Sequence, residues 1–225
     1  MTPALAPTSR PFGPTIAFTA PFLIYAGMIA LPLSPAALFP VRYVVVLAVL
    51  VFVSRPFVSL KPARPLASAA IGIFVFVIWV GPDLLFHYRH HWLFENSITG
   101  HAASSLPPAL HANVLFLAIR VLSSVALVPV LEELFWRGWL MRWWINRDFL
   151  TVRIGTYQAV AFWVVAVLFA SEHGAYWDVG LIAGIVYNLW IVHTGNLADC
   201  MLAHAVTNGT LAVYVLVAGQ WQYWL

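Results

Sequence analysis

The chain has 225 residues, of which 62% are hydrophobic and only 8% are charged, and its formal net charge is +3. A soluble globular domain carries about 25% charged residues because its surface faces water, so the composition excludes a mainly soluble protein and favours a lipid environment. The eleven Lys and Arg residues lie singly among apolar runs and form no basic patch for nucleic acid. Cys200 is the one cysteine, which excludes a disulfide within the chain.

The apolar runs predict an all-α membrane protein, a bundle of about seven transmembrane helices, since a span needs about 20 apolar residues. Residues 1–14 hold several prolines and no apolar core, so we expect an exposed N-terminal tail and no secretory signal, followed by a single domain over 15–225. The aromatic residues at 221–224 are predicted to anchor the C-terminus at the membrane interface. The predicted spans are 15–33, 42–53, 66–80, 110–144, 156–173, 179–192 and 199–218.

Basic residues indicate the orientation of the bundle. The loop after the second span carries Arg55, Lys61 and Arg64, and the loop after the fourth span carries further arginines on the same side if the spans alternate. The long histidine-rich segment 81–109 then falls on the opposite side. By the positive-inside rule, the N-terminus is predicted to be cytoplasmic in a multi-pass protein of the cell inner (plasma) membrane.

Polar side chains interrupt the apolar spans at three places. Such residues are costly in a membrane and mark a functional site by default. They are Glu132, Glu133 and Arg137 in the fourth span, His173 at the end of the fifth, and His204 and Asn208 in the seventh.

Helical spacing suggests different tasks for these groups. Glu133 and Arg137 lie one turn apart on the same face and can neutralise each other. Glu132 is rotated by about 100° from Glu133, so its carboxylate is available to other helices. His204 and Asn208 also share a face. A free carboxylate, imidazoles and an amide together could activate water and stabilise an oxyanion.

Each cluster alone has a plainer interpretation. A Glu-Glu pair followed by Arg is often a solvated helix face, and a histidine at a helix end is often an interfacial residue. His204 and Asn208 could form an interhelical hydrogen-bonded clamp, worth only about 0.6 kcal/mol on average. The joint occurrence of all three clusters on apolar helices favours a common site.

Taken together, the motifs Glu-Glu-x-x-x-Arg, Phe-x-x-x-His (from Phe169) and His-x-x-x-Asn resemble the signature of the CPBP (CAAX protease and bacteriocin-processing) intramembrane proteases. The amino-acid sequence of residues 132–138 is most similar to the exosortase-associated CAAX prenyl protease-related branch. The resemblance implies an all-helical fold with a catalytic core at 110–218. It also implies hydrolysis of a peptide bond in a membrane-anchored protein or peptide substrate, within the lipid bilayer.

The resemblance also implies roles for the motif residues. The site residues would be Glu132 and His173 activating water, His204 and Asn208 holding the oxyanion, and Glu133 with Arg137 in support.

The cofactor question stays open at this point. Glu132, His173 and His204 are of the types that bind a divalent metal such as zinc. However, the chain has no His-Glu-x-x-His helix, and Asn208 is a poor zinc ligand. No cofactor is therefore firmly predicted. A glutamate mechanism without tightly bound metal fits these residues slightly better than a zinc mechanism does.

Two other function classes compete with the protease. In a proton-coupled transporter the acidic residues and histidines would relay protons, although the inverted repeats that many transporters carry are not evident. A catalytically silent scaffold or immunity-type protein could use the same fold. Simple alternation of the spans also places Glu132 towards the inner side and His173 towards the outer side, so the sequence alone does not bring them together.

Overall fold

The computed structural model describes residues 12–104 and 106–224, and this part of the chain forms seven apolar helices and no β-strand. The all-α prediction is therefore confirmed. Five helices are long and apolar enough to cross a membrane, while α1 and α5 are shorter. The helices are α1 (Pro14–Ala30), α2 (Pro35–Phe57), α3 (Pro65–Phe86), α4 (Val114–Ile145), α5 (Ala159–Ser171), α6 (Gly174–Thr194) and α7 (Leu197–Ala218).

The N-terminal boundaries differ in detail from those predicted. Most of the tail predicted over 1–14 lies outside the described residues, and Pro14 already begins α1. Helix α2 starts at Pro35, seven residues before the predicted 42. Proline is well suited to the first helical position because the N–H it lacks would have no partner inside the helix.

Helix α4 is the long helix that the sequence predicts, with 32 residues. At 1.5 Å per residue it extends about 48 Å, more than the hydrocarbon core needs. Two π-helical stretches interrupt it, Ser123–Leu127 and Leu134–Leu140. They bracket the α-helical turns Val128–Glu133 that carry both glutamates. π-Helical turns inside α-helices occur frequently at functional sites.

Helix α5 is shorter than the sequence analysis proposed. It has 13 residues and ends at Ser171, so it rises about 20 Å at 1.5 Å per residue, less than the roughly 30 Å of a hydrocarbon core. The chain turns into α6 directly after α5, and His173 lies at that turn. Counting full-length alternating spans therefore does not give the position of His173.

Close helix contacts depend on glycine. Helix α3 packs along α7, and α5 packs along α6. At Gly72 a Cβ atom would overlap the Ala203 carbonyl oxygen and lie 2.7 Å from the Val206 Cβ. The Thr207 hydroxyl donates to the Gly72 carbonyl at 2.9 Å across the same contact. A Cβ at Gly184 would lie 3.2 Å from the Ala166 carbonyl oxygen, so glycine allows the close contact of α6 with α5.

A buried carboxylate joins the starts of α3 and α7. Asp199, in the first turn of α7, has no exposed surface. Its Oδ1 accepts the Arg64 backbone N–H at 2.7 Å and the Ser68 hydroxyl at 3.2 Å. Asp199 thus supplies, from another helix, an acceptor for the unpaired backbone groups at the start of α3.

The segment after α3 and the C-terminus close the end of the bundle that lies away from the starts of α3 and α7. Buried Arg89 pairs with Asp178 at 2.5 Å and donates to the Ala175 carbonyl at 2.8 Å. Tyr223 and Trp224 are 6% and 5% exposed, so they pack against the bundle.

The contact at Gly72 gives a first prediction. We expect Gly72→Ala to destabilise the protein by about 1–3 kcal/mol, because the added methyl overpacks a helix interface. The matched control is Gly81→Ala in the same helix, where the Cβ would meet only the Val77 Cγ1 at 3.9 Å. Thermal unfolding of both variants in detergent micelles measures the difference. Equal melting temperatures for the two variants would contradict the proposed packing constraint.

Candidate active site

Four of the six predicted site residues line one cavity of about 120 Å³ between α3, α4, α5, α6 and α7. Since a water molecule occupies about 30 Å³ in the liquid, the cavity has room for several waters. Glu132, His173, His204 and Asn208, which come from three separate stretches of the chain, all line it. The remaining walls are mainly apolar and aromatic: Trp79, Val128, Phe169, Ala183, Tyr187, Thr207 and Leu211.

Glu132 is the acidic group in the cavity wall. It is 8% exposed, and its Oε2 atom is buried without a hydrogen-bond partner within the structure. That oxygen lies 4.0 Å from His204 Nε2. An unpaired carboxylate oxygen is costly unless a water or a ligand satisfies it. Glu132 is therefore the carboxylate most available for chemistry in this cavity.

Glu133 has a different environment from its neighbour. It is fully buried and does not line the cavity. Its carboxylate accepts hydrogen bonds from Arg137 Nη1 at 3.1 Å, His204 Nδ1 at 2.9 Å and Cys200 Sγ at 3.2 Å. The predicted pairing of Glu133 with Arg137 is present, and Glu133 also holds the imidazole of His204. Glu133 thus acts on the site through His204.

Arg137 is 1% exposed, and each of its three guanidinium nitrogens donates a hydrogen bond. Besides Glu133, its Nε donates to the Asn188 side-chain oxygen at 2.8 Å and its Nη2 donates to the Gly184 carbonyl at 3.2 Å. The guanidinium also lies 4.5 Å from the centre of the Phe169 ring. A planar group with several donors suits this arrangement better than a lysine ammonium would.

Two neighbours, Glu133 and Tyr187, fix the orientation of the His204 imidazole. Because Glu133 accepts from Nδ1, that nitrogen carries a proton, and Nε2 faces the Glu132 side of the cavity. The Tyr187 ring stacks on the imidazole with a centroid distance of 5.1 Å. The Tyr187 hydroxyl donates to Thr207 at 2.8 Å, which fixes the stacking ring in turn.

His173 lies at the turn between α5 and α6. Its Nδ1 donates to the Phe169 carbonyl at 2.7 Å, which accounts for the spacing of the Phe-x-x-x-His motif. This leaves Nε2 as the acceptor in a neutral imidazole. A Cβ at Gly180 would lie 3.1 Å from His173 Nδ1, so glycine lets α6 approach the ring closely.

Asn208 reaches across to the first π-helical turn of α4. Its side-chain nitrogen donates to the Ser124 carbonyl at 2.8 Å. π-Helical geometry shifts the regular backbone hydrogen bonds, which accounts for a carbonyl in Ser123–Leu127 that accepts from a side chain. A primary amide has two N–H donors, so Asn208 keeps one for a group in the cavity.

Within the described residues, no three His, Cys, Asp or Glu side chains stand close enough together to hold a metal ion. His204 Nδ1 and His173 Nδ1 are both engaged by oxygen acceptors within the protein. Glu132, His173 and His204 border the same cavity, but the structure does not bring them together as a zinc ligand set. No step below depends on a metal.

The histidines between α3 and α4 lie apart from this cavity. His90 and His101 are exposed and lie 3.0 Å and 3.9 Å from the Glu95 carboxylate. The hydrogen bond to Glu95 raises the pKa of His90, and the same contact holds the pKa of Glu95 below its ordinary value. They form local loop contacts and play no part in the cavity.

Further residues support the site from other helices, and none of them was predicted from the sequence. Asn188, Tyr187 and Cys200 contact the charged cluster from α6 and α7, and Trp79 reaches it from α3. Tyr187 and Asn188 have no polar residue three or four positions away on α6. Two signals could have been used: Asn188 is a buried amide in a membrane span, and Cys200 lies one helical turn before His204.

A comparison with protein-family models matches the segment of the chain that carries the motif residues. Residues 113–210 match the family model for the type II CAAX prenyl endopeptidase Rce1-like proteins. The match extends from the residue before α4 into α7 and includes all of the motif residues. No curated protein and no solved structure matches the chain. The chain is thus a multi-pass membrane protein, and its residues 113–210 are similar to the CAAX protease family.

Proposed function

We propose that this protein is an intramembrane endopeptidase in which Glu132 activates a water molecule to hydrolyse a peptide bond. The family assignment supports a peptidase. The observation that carries the finer proposal is the unpaired, buried Oε2 of Glu132 in the cavity wall, 4.0 Å from His204 Nε2. A carboxylate in this position can accept a proton from water.

The proposed reaction uses the cavity residues in order. Water attacks the scissile carbonyl carbon and gives a proton to the Glu132 carboxylate, while His173 Nε2 accepts a hydrogen bond from the same water. The negative charge that develops on the carbonyl oxygen is stabilised by the N–H donors of His204 and Asn208. The C–N bond then breaks, and Glu132 returns the proton to the leaving amine.

Glu133 and Arg137 are positioning residues in this proposal. Glu133 accepts from His204 Nδ1, so Nε2 of a doubly protonated His204 donates towards the oxyanion. This resembles the principle by which a buried carboxylate orients a catalytic histidine in other hydrolases. Arg137 offsets the charge of Glu133.

The substrate and setting are also part of the proposal. We infer a membrane-anchored protein or peptide substrate, because the cavity lies inside an apolar helical bundle. We further propose an inner-membrane location with a cytoplasmic N-terminus, from the distribution of basic residues. The amino-acid sequence of residues 132–138 supports placing the protein in the exosortase-associated branch of the family.

The central prediction is that Glu132→Gln abolishes proteolysis and leaves the bundle folded. Gln keeps the size but cannot accept a proton, and loss of a general base costs about 10²–10⁴ in rate. Cleavage is measured by mass spectrometry in liposomes that contain the purified protein and a library of lipid-anchored peptides.

The matched control is Glu172→Gln. The Glu172 carboxylate accepts from Trp136 Nε1 at 3.1 Å and does not line the cavity, so turnover should stay within a few-fold of the parent. Full activity of the Glu132→Gln protein would contradict the base assignment.

A second prediction separates positioning from catalysis. Arg137→Ala should lower the unfolding free energy by about 3–5 kcal/mol, because it leaves the Glu133 charge buried and unpaired. The double variant Glu133→Gln/Arg137→Ala should recover part of that loss, since the stranded charge is gone. Thermal unfolding in detergent tests both, with Glu132→Gln as the reference. If Arg137→Ala melts like the parent protein, the ion pair does not stabilise the bundle.

A further inference from the structure

Trp79 is a cavity residue that lies outside the segment matched by the family model. It belongs to α3, whereas the match begins at residue 113. Its ring meets the His173 imidazole edge to face, with centroids 5.1 Å apart at 69°. On another side it stacks on Tyr176 at 6.2 Å and 17°. These two contacts fix the indole in the cavity wall that it shares with Glu132.

The indole N–H of Trp79 has no acceptor. Its Nε1 atom is buried and makes no hydrogen bond within the structure. Buried tryptophan N–H groups usually find a partner, and a donor left unpaired costs about 1–3 kcal/mol. Two other indoles do have a partner: Trp136 donates to Glu172 at 3.1 Å, and Trp190 donates to Ser68 at 3.2 Å.

Two of the residues that line the cavity therefore each carry a buried polar atom without a hydrogen-bond partner, one an acceptor and one a donor. Glu132 Oε2 is the acceptor and Trp79 Nε1–H is the donor, and they do not bond to each other. A peptide bond presents a carbonyl acceptor wherever its backbone lies, so a bound peptide can satisfy the donor. His173 provides no acceptor for Trp79 in this structure, although the two rings are in contact.

We propose that Trp79 Nε1–H donates a hydrogen bond to a backbone carbonyl of the bound substrate, next to the scissile bond. This inference rests on the proposed function. Trp79 thus helps to bind and align the peptide, while Glu132 and His204 perform the chemistry. It also gives α3, which the family match leaves out, a direct part in substrate recognition.

The test replaces the donor and keeps the ring. Trp79→Phe removes the N–H, and incorporation of benzothienylalanine at position 79 replaces the indole N–H with sulfur in the same bicyclic shape. We expect both proteins to show about a tenfold loss in kcat/KM on a peptide that the parent cleaves, the loss of roughly one hydrogen bond. The loss should appear mainly as a raised KM, because the contact is made in the bound ground state as well.

The matched control is Trp139→Phe. Trp139 also has a buried indole N–H without a partner, but it packs against Phe135 and Trp143 and does not line the cavity. Its kcat/KM should equal that of the parent. Parental kcat/KM in Trp79→Phe, or full rescue by benzothienylalanine, overturns the hydrogen bond while the proposed function stands. Absence of cleavage by the parent protein overturns the proposed function itself.

Discussion

The buried pair of Glu133 and Arg137 is the constraint on which the rest of the site depends. Neither side chain has appreciable exposure, and a lone charge in this interior would be very costly. The pair is held by groups from other helices, Asn188 and the Gly184 carbonyl on α6 and His204 on α7. Satisfying two charges therefore fixes the relative positions of three helices. The orientation of His204 is a consequence of that arrangement.

Helix length and glycine positions then bring the remaining groups together. Helix α4 is long enough to keep Glu132 away from both of its ends, and α5 is short enough to bring His173 back to the same cavity. Gly180 lets the His173 ring lie against α6, where a methyl group would press on it at 3.1–3.2 Å. These are local steric facts with a functional effect, since a shift of about 1 Å in a catalytic group can cost much of its activity.

The sequence predicted those features that depend on hydropathy and helical spacing. Apolar runs predicted the helices, and the i,i+4 spacing predicted the Glu133–Arg137 pair that the structure contains. It also identified four groups that line one cavity. Their convergence could not be derived, because it depends on α5 ending early, and an apolar run shows only approximately where a helix stops. Trp79 was missed because a tryptophan in an apolar helix carries no periodic signal, and its role depends on an indole nitrogen that packing leaves unpaired.

The most direct measurement is an experimental structure of the protein in lipid with a phosphinic peptide, whose tetrahedral phosphinate mimics the proposed intermediate. The account predicts one phosphinate oxygen within about 3.2 Å of His204 Nε2 and the Asn208 amide, and the other within hydrogen-bond reach of Glu132. A phosphinate bound outside this cavity, or one that leaves Glu132 without contact, would contradict the assignment of Glu132 as the group that activates water.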